Sequence, residues 1–518
     1  MPRIKIGTRG SLLAVTQANM TLDKLTALTG QKFELVTIKT EGDLKTEKPL
    51  WQMDGKDFFT KELDHALREG EVDAIIHSYK DLGSDRPAEF KLAAVTKREN
   101  PHDILILRPG VKEQLIGKEK SEVIIGTSSP RRIENLKKDL SQFLPFHPAV
   151  TTKNLRGNVN TRIEKMLNGE YDGIVLAFAG LERLASREES RKVLVELIDK
   201  TDLMILPLTK FPTAAAQGAL AIECLETNEK IVDLLETVHD EETFRDTQIE
   251  RETFRSFGGG CHLAVGISVL ELDDKAKLEI RRGEHNETRI EKEVYHQKID
   301  RPKTKNTPLF IGLHPDKLKG SEDLIGDLSI EREFLPPCTK NRDQDHQKAL
   351  FVTSQYCLSY FDRPAPSLFT WAAGSSTAKK LTEKGVWVDG VSDCRGSADI
   401  GKWTQTELFK CYHKTKNLNW KILTHNQANH EWGEVVACYD HQFDPSLINP
   451  RVQEVEWFFW TSFVQFKLYS KTFPAILGKN HACGPGKTKE LFNQHEIPVT
   501  VFPGWKVFVE TTKGVPSE

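Results

Sequence analysis

The sequence predicts a multidomain α/β protein, on three observations. The chain has 518 residues, enough for about three or four domains of ordinary size. Hydrophobic residues make up 38% and charged residues 28%, so packed cores are possible and wholesale disorder is excluded. Through residues 1–220, short apolar strands alternate with amphipathic helices, the rhythm of βαβ units on mostly parallel sheets.

Residues 4–8 read as a strand, 11–28 carry apolar residues at helical spacing, and 32–39 (KFELVTIK) alternate as a strand. Residues 58–67 are helical, and 72–77 (VDAIIH) form a buried strand. A strand at 123–126 leads into a helix at 130–140, and a helix at 159–167 is closed by Asn168-Gly169 before the strand 174–177. The pattern over 228–257 is helical, and strand-like segments at 265–272 and 277–282 suggest a smaller α+β domain. Composition then shifts: eight of the nine tryptophans and six of the eight cysteines lie beyond residue 337. The polar stretch 300–307 (DRPKTKNT) reads as a linker. Beyond it the alternation resumes at 349–353, 377–385, 420–424, 457–461 and 488–495.

With 72 basic and 75 acidic residues the net charge is -3, which argues against a general nucleic-acid or membrane-surface binder. No apolar run approaches the roughly 18 residues of a membrane span, and MPRIKIGTRGS lacks a signal peptide's apolar region, so a cytoplasmic location is expected. No C-x-x-C pair occurs, so no metal site is expected and most cysteines should be free, buried thiols.

Candidate chemistry gathers at strand-to-helix turns. In GTSSPRR (126–132) Ser129 suits an N-cap and Pro130 the first helical turn, which places Arg131 and Arg132 beside free N–H groups: an anion site, or else a capped helix with solvated arginines. LRGNVNTR repeats the theme with Arg156, Gly157 and Arg162; Arg9 lies in GTRGS and Arg183 in AGLERL. Open α/β sheets bind ligands at the carboxyl ends of their strands, and guanidinium groups suit carboxylate or phosphate, so several at such edges point to a polyanion. HSYKD also follows a strand: Lys80 can pair with an anion, Asp81 with a cation or an N–H that becomes positive, or the two form a surface ion pair. GGGCHLAVG sets Cys261 on an exposed glycine loop; neighbours in sequence need not face each other, so no pairing with His262 is inferred.

Residues 1–300 resemble the porphobilinogen deaminase (hydroxymethylbilane synthase) family. The resemblance rests on an ordered set: GTRGSLLA, GKDFFTKEL, HSYKD, GTSSPRR, LRGNVNTR, LAFAGLERL, AAAQGALAIEC and GGGCHLAVG. It implies two α/β lobes like a periplasmic-binding protein around a cleft, plus a third small α+β domain. The implied boundaries are 1–99 with 203–222, then 100–202, then 223–300, with a linker at 301–307. It implies a dipyrromethane cofactor on Cys261 through a thioether. Four porphobilinogen molecules are then joined head to tail with loss of ammonia, and hydroxymethylbilane is released by hydrolysis.

By the same resemblance Asp81 is the catalytic carboxylate, and Arg9, Lys80, Arg131, Arg132, Arg156, Arg162 and Arg183 bind acetate and propionate groups. Ser11, Ser78, Thr127, Ser128 and Ser129 add hydrogen bonds, with Gly157 beside the cofactor. A fixed carboxylate suits the electron-poor pyrrole left by deamination, and a tethered primer gains from proximity. Partners are expected to be these small molecules alone, with no nucleic acid or membrane, on a monomer. The chain departs from the family at Glu41 (arginine is usual), Leu82-Gly83 (Val-Pro), Ala216 (glycine before Gln217) and Ala264 (proline).

Residues 308–518 resemble, more loosely, the uroporphyrinogen-III synthase family, in a shortened form with two α/β lobes. FVTSQ, AAGSSTAKKLTEKGV, VVACYDHQ, FFWTSFVQF and CGPGKTKELFNQHEIP carry the likeness. It implies cyclisation of hydroxymethylbilane to uroporphyrinogen III with loss of water, Tyr439 as the catalytic tyrosine, and Ser354, Thr377, Ser462 and Thr488 at the substrate. The alternatives are a non-catalytic anion-binding protein for the first part, and an inactive scaffold for the second.

Overall fold

The computed structural model describes residues 3–40, 60–83, 85–260, 262–297, 307–318, 323–336, 348–361, 369–393, 396–414 and 418–513. Cys261, nearly all of the linker and the segment from Glu41 to Phe59 lie outside the described residues. The chain divides into two compact units. The first is Met1–Val269 with Ile280–Lys292 and Gln405–Lys416; the second is Leu270–Glu279 with Glu293–Thr404 and Asn417–Glu518.

Ten strands build two sheets in the first unit: β1 (Ile4–Arg9), β2 (Phe33–Ile38), β3 (Ala74–Ser78), β4 (Phe90–Val95), β5 (Asp103–Leu107), β6 (Glu122–Gly126), β7 (Ala149–Lys153), β8 (Gly173–Ala177), β9 (Asp202–Ile205) and β10 (Leu220–Leu225). Their orders are β2-β1-β3-β10-β4 and β7-β6-β8-β5-β9. The apolar runs expected of buried strands are there: the first four residues of β3 and of β8 are buried, and so is every residue of β5. One strand in each sheet opposes the others: β10 is antiparallel to β3 and β4, and β5 to β8 and β9. These are the strands the chain enters on arriving from the other sheet, with no crossover helix to reverse it.

Helix Leu12–Thr29 covers the first sheet, and Leu22, Leu25, Ile6, Ile76 and Ile222 share its core. Each such side chain removed from water contributes about 1.5–3 kcal/mol.

The two crossings, 96–102 and 206–219, run side by side. Glu99 N donates to Gly218 O at 3.0 Å, Thr96 N to Leu220 O at 3.0 Å, and Arg98 Nε to Gln217 O at 2.7 Å. Gly218 has φ +95°, and a Cβ there would stand 2.4 Å from Glu99 O. Ala216 is held at φ +62° and donates its N–H to Glu250 Oε2 at 2.7 Å. The position usually glycine in the resembled family is thus an alanine kept in the left-handed region by a buried carboxylate.

Beyond β10 the helical stretch is two helices, Glu229–Glu236 and Glu241–Ser256, because Asn228 and Asp240 each cap a separate start. Three strands follow in order: β11 (Ala264–Asp273), β12 (Ala276–His285) and β13 (Thr288–Gln297). The third was not anticipated from the sequence, because its side chains are largely charged and none is buried. The boundary between the units runs through this sheet.

The helix Glu407–His413 belongs to the first unit although it lies far along the chain. Both Glu182 carboxylate oxygens accept from its opening N–H groups, Glu407 N and Leu408 N, at 2.9 Å each. Tyr412 Oη donates to Thr201 O at 2.6 Å.

The second unit holds β14 (Leu309–Ile311), β15 (Leu324–Ile325), β16 (Ile330–Phe334), β17 (Ala349–Val352), β18 (Phe369–Ala372), β19 (Gly390–Val391), β20 (Trp420–His425), β21 (Glu434–Phe443), β22 (Trp457–Trp460), β23 (Asn480–Cys483) and β24 (Thr500–Val501). They form two sheets, β15-β14-β22-β23-β24, wholly parallel, and β16-β21-β20-β17-β18-β19, antiparallel only at β16. Cys224, Cys357, Cys438 and Cys483 are free and buried, as expected. Among the described residues no helix is long and apolar enough to cross a membrane.

Gly218→Ala is expected to cost at least about 2 kcal/mol, since left-handed strain of about 1–2 kcal/mol adds to a clash with backbone. A urea midpoint lowered at unchanged slope is the expected reading; an unchanged midpoint rejects the tight apposition of the crossings.

Candidate active site

Strand β3 delivers its last residue, Ser78, and then a short 3-10 turn, Tyr79–Asp81, to the carboxyl edge of the first sheet. Ser78 Oγ donates to Gln17 Oε1 at 3.1 Å. Behind the strand, Arg86 binds both Asp64 (2.6 and 3.0 Å) and Glu223 (2.8 and 2.9 Å), and His77 stands 3.2 Å from Glu223. Asp64, His77 and Glu223 could together hold a cation, but the Arg86 guanidinium already bridges both carboxylates. Lys80 Nζ donates to Gln217 Oε1 at 3.3 Å. Burial lowers the Lys80 ammonium to about 8; Arg132 and Arg131 add to that, while Asp81 and Asp103 oppose it. The Asp81 side chain is exposed.

In GTSSPRR, Ser129 takes the N-cap position but its hydroxyl makes no capping bond. Thr127 Oγ1 accepts from Ser129 N at 3.3 Å, and Ser128 Oγ both donates to Leu155 O and accepts from Leu155 N at 2.9 Å, pinning the LRGNVNTR loop. Arg131 and Arg132 are neither solvated nor open at the helix end. Both turn inward onto Asp103, which is 1% exposed. Arg131 Nη1 reaches Asp103 Oδ2 at 2.7 Å; Arg132 Nη2 and Nε reach Oδ1 and Oδ2 at 2.7 and 3.0 Å. Burial raises the Asp103 carboxyl, but the two guanidinium groups outweigh it and hold the group well below the usual range.

Gln217 joins the two lobes at this point. Its Oε1 accepts from Lys80 and, at 3.2 Å, from Arg131 Nη2; its Nε2 donates to Asp103 Oδ1 at 2.9 Å and Pro101 O at 2.7 Å. Glu250 anchors the crossing beneath. Wholly buried, it takes Arg98 Nη1 and Nη2 at 2.8 and 2.9 Å, Ala216 N at 2.7 Å and Val269 N at 2.8 Å.

The other cations share a second grouping. Arg156 is lowered by burial and then by Arg9; Arg162 falls to about 10 through burial and then Arg132 and Arg156, with Asp81 opposing. Arg162 Nε donates to Gly157 O at 2.7 Å, and Gly157 takes φ +120° tight against Thr161. Ser11 Oγ caps the helix Leu12–Thr29 by accepting Ala14 N at 3.2 Å. Arg183 stands apart: 5% exposed, it donates Nη2 to Gly218 O at 2.6 Å, in the crossing.

In the second unit Tyr439 on β21 is buried and hydrogen-bonds Ser354; burial pushes its phenol up to about 12. Tyr356 lies 5.4 Å from it, His441 5.4 Å and His425 5.9 Å, ring centre to ring centre, and Arg332 sits 4.7 Å over Tyr356. Thr377 lies in the helix Ser375–Glu383 after β18, and Thr488 in the helix Lys487–Gln494 after β23. Ser462 caps the helix Phe463–Thr472 through Gln465 N at 3.2 Å.

Residues 4–233 match the family model "Porphobilinogen deaminase, dipyromethane cofactor binding domain". The porphobilinogen deaminase of Shouchella clausii is 39% identical over 277 residues, 53% of this chain and 82% of that protein. That of Gloeobacter violaceus is 37% identical over 277 residues, 53% and 79% respectively. The chain belongs to the porphobilinogen deaminase family. Among solved structures, immunogenic lipoprotein A of Vibrio vulnificus is 13% identical, covering 48% of this chain and 99% of that one, with a TM-score of 0.28.

The deaminase domain matched is the one that binds the dipyrromethane cofactor. The residues present fit such a group. Lys80 and Arg162, whose pKa values burial and neighbouring arginines lower and the exposed Asp81 carboxylate raises, make a cationic setting that favours a polycarboxylate ligand. Three consecutive glycines at φ +94°, +63° and +94° lead directly to Cys261.

The sequence reading did not find Asp103, Gln217, Arg98 or Glu250. A polar residue heading the apolar strand DILIL was the available signal for Asp103. Asp103→Asn leaves two buried guanidinium groups without a counter-ion and is expected to cost about 3–5 kcal/mol in denaturant titrations. The unfolded carboxyl titrates near about 3.9, so the wild-type advantage should be complete above that pH. It should shrink as pH falls from there toward the depressed folded value. A constant difference down to strong acid counts against the assignment.

Proposed function

We propose that residues 1–300 join four porphobilinogen molecules into hydroxymethylbilane with release of ammonia. The observation that carries this is the exposed Asp81 carboxylate beside the cations Lys80 and Arg162. The cofactor, held on Cys261 by a thioether, supplies the pyrrole from which the chain grows. Lys80, Arg9, Arg156 and Arg162 pair with acetate and propionate groups, each charge-assisted contact contributing about 1.5–3 kcal/mol. Asp81 faces the ring N–H of the reacting pyrrole and stabilises the positive charge that develops as ammonia leaves. Ser78 and Ser128 orient this edge through Gln17 and Leu155. Arg131, Arg132 and Arg183 act through the cleft's framework: bound to Asp103 and Gly218, they keep the two lobes in register.

We further propose that residues 308–518 cyclise hydroxymethylbilane to uroporphyrinogen III with loss of water. The supporting observation is Tyr439, a phenol held neutral beside Ser354 and an arginine-capped aromatic group, able to donate a proton to a departing hydroxyl. Thr377, Ser462 and Thr488, at the starts of helices that follow strands, contribute to the substrate's surroundings.

Intact-mass measurement of the full chain should show a dipyrromethane adduct, and the protein should consume porphobilinogen. Asp81→Asn should keep the adduct and lose about 10²–10³-fold in turnover; a normal rate removes Asp81 from the chemistry. With hydroxymethylbilane supplied, Tyr439→Phe should shift the product toward the spontaneously cyclised isomer. An unchanged isomer ratio, or the spontaneous isomer alone from the wild type, rejects the second activity.

A further inference from the structure

The helix Glu241–Ser256 leads through Phe257 into the glycines that precede Cys261. Near its end, Arg251 reaches across to the turn that carries Lys80 and Asp81. Arg251 Nη1 donates to the carbonyl oxygens of Tyr79 and Leu82 at 3.3 and 3.0 Å, and Nη2 to that of Gly83 at 2.8 Å. Its guanidinium carbon lies 4.5 Å from the centre of the Tyr79 ring. From the same helix, Gln248 Nε2 donates to Tyr79 Oη at 3.1 Å.

These carbonyls bracket Lys80 and Asp81. Tyr79 and Leu82 are themselves buried, Tyr79 N donates to Ala219 O at 3.0 Å, and Leu82 N closes the turn on Tyr79 O at 3.3 Å. A planar fork of donors can serve three carbonyls from one fixed position and stack on a ring as well; an ammonium on a flexible stem cannot. We infer that Arg251 is a positioning residue for Asp81, fixing the Tyr79–Asp81 turn against the helix that runs to the cofactor cysteine. This rests on the deaminase reading of Asp81. The side of the helix thereby sets the turn that ends in the Asp81 carboxylate. Without Arg251 the three carbonyls turn to water and the turn gains freedom. A displacement of about 1 Å in a catalytic group can cost about 100-fold in rate.

The experiment uses the full chain and four variants, Arg251→Met, Arg251→Lys, Asp81→Asn and Arg245→Gln, the last an exposed arginine on the same helix. For each, kcat and KM for porphobilinogen, melting temperature and intact mass are measured. Arg251→Met should keep the dipyrromethane adduct and a KM within about twofold of wild type while kcat falls about 10–100-fold. Arg251→Lys should recover part of the kcat, and Arg245→Gln should match wild type. A normal kcat in Arg251→Met overturns the inference. So does a loss confined to KM, or a loss that follows adduct and melting temperature down together in both Arg251 variants. Inactive wild-type protein, or an active Asp81→Asn, instead overturns the deaminase reading. Asp81→Asn inactive with Arg251→Met normal leaves that reading standing and removes Arg251 alone.

Discussion

The buried Asp103 carboxylate, shared by Arg131 and Arg132, is the interaction on which the first unit depends. A lone carboxylate in that place would be driven to its neutral form, and two adjacent guanidinium groups without it would repel. Together they make a compact charge cluster with net charge +1, closed by Gln217 and by the carbonyls of Val175 and Pro212. Because Gln217 also binds Lys80, the state of this cluster is transmitted to the cleft's most buried amine. The lowered pKa of Lys80 is therefore partly set by groups that need not touch a ligand.

This divides the cationic residues into two kinds. Arg131, Arg132 and Arg183 are committed to carboxylate or carbonyl partners within the fold. Arg156 and Arg162 instead lie near other cations, Arg156 lowered by burial and by Arg9, and Arg162 by burial, Arg132 and Arg156. Like charges held this close disfavour one another, and an anion set among them would offset that cost.

Much of this was legible in the sequence, for physical reasons that also mark the limit. Strands β3 and β8 announce themselves because their buried parallel pairing leaves short apolar runs, and the glycine before Cys261 repeats three times. Strand β13 escaped because charged residues on half-exposed strands leave no clear period. The inward turn of Arg131 and Arg132 escaped for a different reason. A helix start with arginines looks the same whether its counter-ion is a ligand or an aspartate 28 positions away. HSYKD read as following a strand, and the turn Tyr79–Asp81 does follow β3. The ordered set of motifs was silent on Glu250 and Arg251, whose partners lie 152 and 172 positions distant and which only tertiary structure joins.

The helix Glu407–His413 also has a bearing on how this polypeptide came to be one molecule. Among the described residues its first N–H groups are the donors to the Glu182 carboxylate, and Glu182 is 8% exposed, so that carboxylate relies on a segment encoded more than 200 positions later. A gene split at the polar stretch around residue 300 would separate the two, stranding a desolvated acid on one product and a helix start held by Thr406 alone on the other. Cut there, neither product would carry the whole clasp.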